Sequence, residues 1–282
     1  MAYRPFLLPK TMNPISDTAF YTCGIRAQDA QEAQPLCGDD FAHLFMTPHG
    51  NAIFDSLKAD PRPNQSIAVR HRMMDEFLRT RLAQQPKTKV ILLGAGFDAR
   101  AFRLSDGVWF EIDEPQVIEH KNHCLPETTC PNSLTRIAID FSQETLASKL
   151  PLNEDGAPVI VVMEGVFGYL SEDQITQTLQ ALMTAYPQHS LICDLMTKYF
   201  IETQGQELTD RIEKLGAKFQ FFPDDPTDIF KRAGYWHVDG NSILSETLQV
   251  LQQGFSLFLL KNFFSRIMRG YTMNVFESTP RS

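Results

Sequence analysis

The stretch KVILLGAGFDAR (Lys89–Arg100) joins a short apolar run to a glycine turn. Lys89 to Leu93 has the length and apolar character of a buried strand. Gly94-Ala95-Gly96-Phe97-Asp98-Ala99 then matches the loose pattern G-x-G-x-x-G/A. Glycine lets the backbone turn sharply and approach a ligand closely. Further apolar runs follow, and each stops at an acid. Val108–Ile112 (VWFEI) stops at Asp113, Leu134–Ile139 (LTRIAI) at Asp140, Pro158–Met163 (PVIVVM) at Glu164, and Ser190–Cys193 (SLIC) at Asp194. Each interval between successive acids fits one helix plus one strand. Alternating units of this kind predict an α/β fold with a parallel sheet covered by helices on both faces. Right-handed crossovers put the strand ends on one edge, where such sheets bind ligands. One rim would therefore carry the glycine turn and the row of carboxylates.

Outward from this core the pattern changes. Pro5, Pro9, Pro14, Pro35, Pro48, Pro61 and Pro63 punctuate the opening segment, which reads as irregular. Ile67, Met74, Phe77, Leu78 and Leu82 fall near helical spacing and predict an amphipathic helix over residues 64–83. Ser171, followed by Glu172 and Asp173, is a candidate N-cap for a helix reaching Ala185. Phe219–Pro223, Gly234–Val238, Gly254–Leu260 and Gly270–Phe276 are candidates for antiparallel strands closing the sheet. The expected organisation is a helical or irregular lid over residues 1–86 and a core over 87–282, in one continuous domain.

Composition narrows the function. Lys plus Arg total 26 against 34 Asp plus Glu, a net charge of -8, which argues against nucleic acid as the main partner. The 5 cysteines form no CxxC pair and suit a reducing cytoplasm. MAYRPFLLPK lacks the apolar core of a secretory signal, and the run ending at Leu260 is broken by Lys261, too short to span a bilayer. A cytoplasmic protein without a membrane partner is expected.

Asp113 ends the strand after the glycine turn, where a carboxylate can accept from a ribose diol. Nicotinamide dinucleotides and S-adenosylmethionine both carry that adenosine. The long segment before Lys89 and the pair Asp140-Phe141 favour S-adenosylmethionine. A carboxylate can accept from the adenine amino group, and an aromatic ring can cover the base. The bland alternative for any strand-end acid is a helix cap, and Asp194 is read as a cap or a substrate-side residue. His120-Lys121-Asn122-His123-Cys124 lacks a full metal-ligand spacing and reads as a solvated helix face. So do Arg70, Arg72, Arg79 and Arg81, interleaved with Asp75 and Glu76. Met73-Met74 and the Phe255, Phe258, Phe263 and Phe264 tail read as core or pocket lining.

Three core motifs together resemble the leucine carboxyl methyltransferase family: LLGAGFDARAFRL (Leu92–Leu104), WFEIDEPQVIEHK (Trp109–Lys121) and MEGVFGYLS (Met163–Ser171). The family includes protein phosphatase methyltransferases, tRNA wybutosine-synthesising relatives and bacterial O-methyltransferases of polyketide synthesis. SDTAFYTCGIRA (Ser16–Ala27), VRHRMMDEFLRTRL (Val69–Leu82) and MRGYTMNVF (Met268–Phe276) resemble the bacterial branch. The resemblance implies a class I methyltransferase, Rossmann-like, with a seven-stranded, mostly parallel sheet and an antiparallel strand near one edge. It implies that Arg70 holds the methionine carboxylate of S-adenosyl-L-methionine, with Arg72 as an alternative. Gly94 and Gly96 would pass beside the methionine, Asp113 would hold the ribose, and Asp140 and Phe141 would frame the adenine. Glu164 would lie near the methionine amino group.

Phe20-Tyr21-Thr22 has no lysine where animal phosphatase methyltransferases carry one, which turns the expectation to the bacterial branch. The expected reaction is methyl transfer to a carboxylate of a small, polyketide-like acid, with S-adenosyl-L-homocysteine as the product. Tyr169, Asp194 and Tyr199 are substrate-side candidates, and no catalytic base stands out. The rivals are a protein C-terminal carboxyl methyltransferase, a non-catalytic S-adenosylmethionine binder and a nicotinamide oxidoreductase.

Overall fold

The computed structural model describes residues 12–58, 61–251 and 265–278. Helices α1 (Pro14–Asp29), α2 (Ala42–Phe45), α3 (Pro48–Leu57) and α4 (Pro61–Gln84) precede the first strand. The expected irregularity of the opening segment is thus corrected, because three of its prolines, Pro14, Pro48 and Pro61, start helices. Pro14 and Pro48 occupy the first turns of α1 and α3, where the missing N–H costs nothing. Asn13 Oδ1 accepts from the Ser16 N–H at 2.8 Å and Thr47 Oγ1 from the Gly50 N–H at 2.9 Å, capping both. α1 buries Phe20, Tyr21, Cys23, Ile25 and Ala27, apolar residues on several sides, so it shows no clean amphipathic stripe in sequence. α4 covers the helix expected over residues 64–83.

Strands β1 (Lys89–Leu93), β2 (Val108–Asp113), β3 (Ser133–Ala138), β4 (Val159–Met163), β5 (Ser190–Met196), β6 (Trp236–Ser242) and β7 (Tyr271–Glu277) form one sheet. Its order is β3-β2-β1-β4-β5-β7-β6. β1 to β5 run parallel, and β7 enters antiparallel between β5 and β6. The order reverses between β1 and β4, so the crevice at their carboxyl ends is the switch point where such sheets bind ligands.

The remaining helices are α5 (Arg100–Arg103), α6 (Pro115–Cys124), α7 (Glu172–Ala185), α8 (Lys198–Phe200), α9 (Gln206–Lys214), α10 (Asp228–Arg232), α11 (Ile243–Val250) and α12 (Ser265–Met268). A π-helical turn, Ile201–Gly205, links α8 to α9.

Side chains alternate across the sheet, as strand geometry requires. Val90, Leu92, Ile160, Val162 and Ile192 face a core shared with Phe20 of α1 and Met74 and Leu78 of α4. Ile91, Leu93, Val161, Met163 and Leu191 face the other core, with Ile175, Leu179 and Leu182 of α7. The amino-terminal helices thus pack on the same sheet that carries the site. Met73 and Met74 are buried core residues.

Several expectations need correction. Phe219–Pro223 forms no strand, whereas the two antiparallel strands are Trp236–Ser242 and Tyr271–Glu277. Gly254–Leu260 and the residues Phe255, Phe258, Phe263 and Phe264 lie outside the described residues, as does the MAYRPFLLPK segment. The HKNHC stretch is a solvated face only in part. His120 is buried, and its Nε2 lies 2.8 Å from the Phe45 carbonyl oxygen. Its ring packs on Phe20 and Phe97. Lys121 Nζ pairs with Glu111 at 2.7 Å, also buried. Glu111 lies inside β2, so periodicity gave no sign that a buried acid would draw Lys121 inward.

Ser171 caps α7 as expected: its hydroxyl accepts from the Gln174 N–H and Gln174 returns a bond to the Ser171 N–H, a full capping box. Ser171→Ala is expected to lower the unfolding free energy by about 1 kcal/mol in a denaturant titration. An unchanged midpoint would deny the cap any weight.

Candidate active site

A cavity of about 1530 Å³ opens beyond the carboxyl ends of β1, β4 and β5, walled by α1, the π-helical turn, α9 and α11. Sites for one small ligand run to roughly 300–1,000 Å³, so this one has room for two. Its floor is the glycine turn. Gly94 has φ +70°, and a side chain there would put its Cβ 2.6 Å from Val166 Cγ2. Gly96 has φ +46°, again a conformation that favours glycine.

Asp113 braces the turn. Its Oδ2 accepts from the Gly96 N–H at 2.6 Å and its Oδ1 from the Glu114 N–H at 2.7 Å. Burial raises its pKa, and these two N–H groups oppose the rise. Each oxygen keeps capacity for a second donor, and Asp113 lines the cavity.

Beyond the turn lies a buried charge cluster. Arg70, on α4, donates through Nε to Glu164 at 3.0 Å and through Nη1 to Asp194 at 3.0 Å and the Tyr271 hydroxyl at 2.8 Å. Its Nη2 donates to nothing among the described residues. Arg72 turns away to Glu246 of α11, 2.6 Å from its Nη2, and to Glu76. Of the two arginines, Arg70 alone lines the cavity. The reading of Arg70 as part of a solvated face is therefore corrected: it is 6% exposed.

Glu164 also receives Arg100 Nη2 at 2.7 Å and lies 3.1 Å from His71 Nδ1. Burial opposes its charge, but the Arg100, His71 and Arg70 groups hold it well below the usual carboxylate range. Burial and the Arg100 charge push His71 down, so its ring is neutral. Its Nδ1 lies 2.8 Å from Arg100 Nη2 as well as 3.1 Å from Glu164, and its Nε2 lies 2.7 Å from Arg103 Nη2. His71, Asp98 and Glu164 bring one ligand atom each within 4.8 Å of one another, the spacing of a metal triad. The Arg100 guanidinium lies within hydrogen-bonding distance of all three and already supplies the cation.

The other expected site residues divide. Phe141, 50% exposed, lines the cavity near Glu144. Asp140 does not: its Oδ1 accepts from the N–H and hydroxyl of Ser142 in the turn after β3. No helix follows it directly, so it is not a helix cap either, the alternative for a strand-end acid. Tyr169 lines the cavity, packs on Phe219 with ring centroids 4.8 Å apart, and has its pKa raised to about 12 by burial. Asp194 lines it too, but as a residue within β5 rather than a cap. It accepts from the Gly165 N–H at 2.6 Å and from Arg70. Tyr199 is corrected: it is not on the cavity wall, and its ring lies under the Arg266 guanidinium at 4.1 Å.

Sequence reasoning missed His71, Arg100 and Tyr271 as parts of the cluster. Arg100 directly follows the glycine turn, a charge bordered by apolar residues, and that was the available signal.

Strand order, reversed β7 and glycine turn at the switch point define a class I methyltransferase fold, and the residues around the turn fit S-adenosylmethionine. Arg70 Nη2, without a partner among the described residues, suits a carboxylate such as the cofactor carries, and the Gly94–Gly96 backbone leaves room beside it. A model of the leucine carboxyl methyltransferase family matches residues 19–183, and the chain belongs to that family. It is an S-adenosylmethionine-dependent methyltransferase. The tetracenomycin polyketide synthesis O-methyltransferase TcmP of Streptomyces glaucescens is 25% identical over 221 residues, 77% of this chain and 78% of TcmP. A Mycobacteroides abscessus protein, provisionally named an S-adenosyl-L-methionine-dependent methyltransferase, is 32% identical over 192 residues, 61% of each chain.

Among solved structures, a DUF574 family protein from Streptomyces avermitilis superposes with TM-score 0.59 at 11% identity, over 92% of this chain and 97% of that one. A Thermobifida fusca protein provisionally named a methyltransferase gives TM-score 0.57 at 16% identity, over 91% and 94%. These two bear on the fold alone. No helix among the described residues is long and apolar enough to cross a membrane.

Proposed function

We propose that the protein is an O-methyltransferase that esterifies a carboxylate of a small apolar acid. The supporting observation is that, among the described residues, the acids, phenols and imidazole of the charge cluster are already committed to other partners: His71 is buried, with its ring nitrogens against Glu164, Arg100 and Arg103. Glu164 is held ionised by Arg100, His71 and Arg70. Asp194 is engaged by Arg70 and the Gly165 N–H. Burial raises the phenols of Tyr21, Tyr169 and Tyr271, so none is available as a phenolate. A phenol acceptor needs a base, whereas a carboxylate arrives ionised.

When bound, S-adenosylmethionine supplies a methyl group on a positively charged sulfur. The protein's contribution is position and dryness. Phe200, Leu208, Ile212, Phe219, Leu244 and Leu248 give the cavity an apolar wall suited to an aromatic or aliphatic body. Oriented reactants can account for up to about 7–11 kcal/mol of a barrier. TcmP, an O-methyltransferase of polyketide synthesis by name, supports an oxygen acceptor on a small molecule. We read the partner as such a molecule, with no nucleic acid or membrane involved.

The test is S-adenosylhomocysteine release with matched panels of aromatic acids, aliphatic acids and phenols, and with peptides ending in a free leucine carboxylate. Turnover on acids, giving a base-labile methyl ester, is expected. Turnover on phenols alone would overturn the carboxylate reading, and turnover on peptides alone would transfer the activity to protein termini.

A further inference from the structure

Tyr271 has a hydroxyl whose own proton has no partner among the described residues. The side chain is 6% exposed and lines the cavity. Its oxygen accepts from Arg70 Nη1 at 2.8 Å, so the O–H remains available to donate. A buried donor without an acceptor is costly, of order 1–3 kcal/mol, and calls for an explanation such as a ligand. Arg70 Nη2, on the same wall, also donates to nothing among the described residues. Each of the two donors suits an anionic oxygen.

Position separates their ligands. The sheet order from the glycine turn runs β1, β4, β5, β7, with neighbouring strands about 4.8 Å apart. Tyr271 opens β7, three strands from Gly94 and Gly96, which places it away from the adenosine side of the crevice. It pairs in register with Met196, beyond the Asp194 level of β5. Its ring stacks on Phe200 with centroids 5.4 Å apart, and Phe200 belongs to the apolar wall assigned to the acceptor.

We propose that the Tyr271 hydroxyl donates to the acceptor carboxylate, holding the oxygen that is not methylated and leaving the other free to attack. This rests on the carboxylate reading above. Burial keeps the phenol protonated, the state that donates. Tyr271 is thus an acceptor-binding residue that selects a carboxylate over a neutral hydroxyl.

The experiment is calorimetric titration of the S-adenosylhomocysteine-saturated protein with 2-naphthoate and with 2-naphthol, on wild type and Tyr271→Phe. The phenylalanine variant keeps the stack on Phe200. Wild type is expected to bind naphthoate. The variant is expected to bind it about 10-fold more weakly, the scale for one lost hydrogen bond to a charged group, with naphthol affinity changed less than about 3-fold and S-adenosylhomocysteine affinity less than about 2-fold. Unchanged naphthoate affinity overturns the proposal, as does absence of naphthoate binding by wild type. A parallel loss of S-adenosylhomocysteine affinity also overturns it, since Tyr271 would then serve the cofactor through Arg70. Cofactor-product binding is read separately. Its persistence without naphthoate binding therefore removes the Tyr271 role but leaves the methyltransferase intact, whereas turnover on phenols alone would remove the carboxylate reading itself.

Discussion

Arg100→Met is expected to lower the unfolding free energy by about 3–5 kcal/mol, the range for removing one partner from a buried ion pair. Arg100 is fully buried and meets Asp75 at 2.6 Å, Glu164 at 2.7 Å, and Asp98. Removing it strands these acids. Asp75 retains Arg103 at 2.8 Å, and Glu164 retains Arg70 at 3.0 Å, so the loss stops short of three orphaned charges. The control is Arg79→Met. Arg79 is 52% exposed and lies 3.7 Å from Asp75, so its removal should cost at most about 0.5 kcal/mol. Thermal melts of the two variants decide the matter. A drop of roughly 6–15 °C for Arg100→Met is expected from the size scaling of melting temperature, and equal melts for both would sink the claim.

The same cluster sets a pH dependence. Burial opposes the charge on Asp75, but Arg100 and its neighbours overcome this and hold its pKa at about 2. A carboxyl depressed on folding stabilises the protein above its unfolded value and loses that contribution as pH falls through the folded value. The wild-type contribution should therefore be full above about pH 4 and fade towards pH 2. Without Arg100 the acid-side loss should begin at higher pH.

The core was legible because each of its strands is a short apolar run ended by a turn or an acid, a pattern that local chemistry alone produces. The glycine turn was legible because few residues other than glycine tolerate the φ of Gly94 and Gly96. The strand-end acids were less so, because the same position serves two ends. Asp113 braces a turn at the cavity wall, while Asp140 closes a local turn with Ser142 away from it. Nothing in either residue's neighbours distinguishes a carboxylate facing inward from one folded back on its own loop.

The amino-terminal helices were hidden for another reason. α1 is buried on several sides, and Asn13 and Thr47 cap helices through bonds that periodicity does not record. The charge cluster was least legible. Arg70 and Glu164 lie far apart in sequence, as do Arg70 and Tyr271, and only the sheet brings them within 3.0 Å. An arginine between apolar residues, as Arg100 is, signals a buried partner without naming it.

Arg70→Ala is expected to weaken S-adenosylhomocysteine binding by about 100-fold, while Arg72→Ala changes it by less than about 3-fold. The difference follows from where the two guanidinium groups point. Arg70 is held on one side by Glu164, Asp194 and Tyr271, an arrangement that fixes its orientation and leaves Nη2 to donate towards the cavity. A carboxylate placed there gains a charge-assisted hydrogen bond in a site mostly shielded from water, worth about 1.5–3 kcal/mol. On the reading that Glu164 meets the amino group of the same amino-acid moiety, loss of the orientation Arg70 imposes on that acid adds to the deficit. Arg72 is committed to Glu246 at 2.6 Å and lies off the cavity wall, so its loss should loosen α11 rather than the cofactor site. Calorimetric titration with S-adenosylhomocysteine measures both variants, with circular dichroism confirming that each is folded. A larger loss for Arg72→Ala than for Arg70→Ala would move the carboxylate contact to Arg72, and equal small losses would place the amino-acid end of the cofactor elsewhere in the cavity.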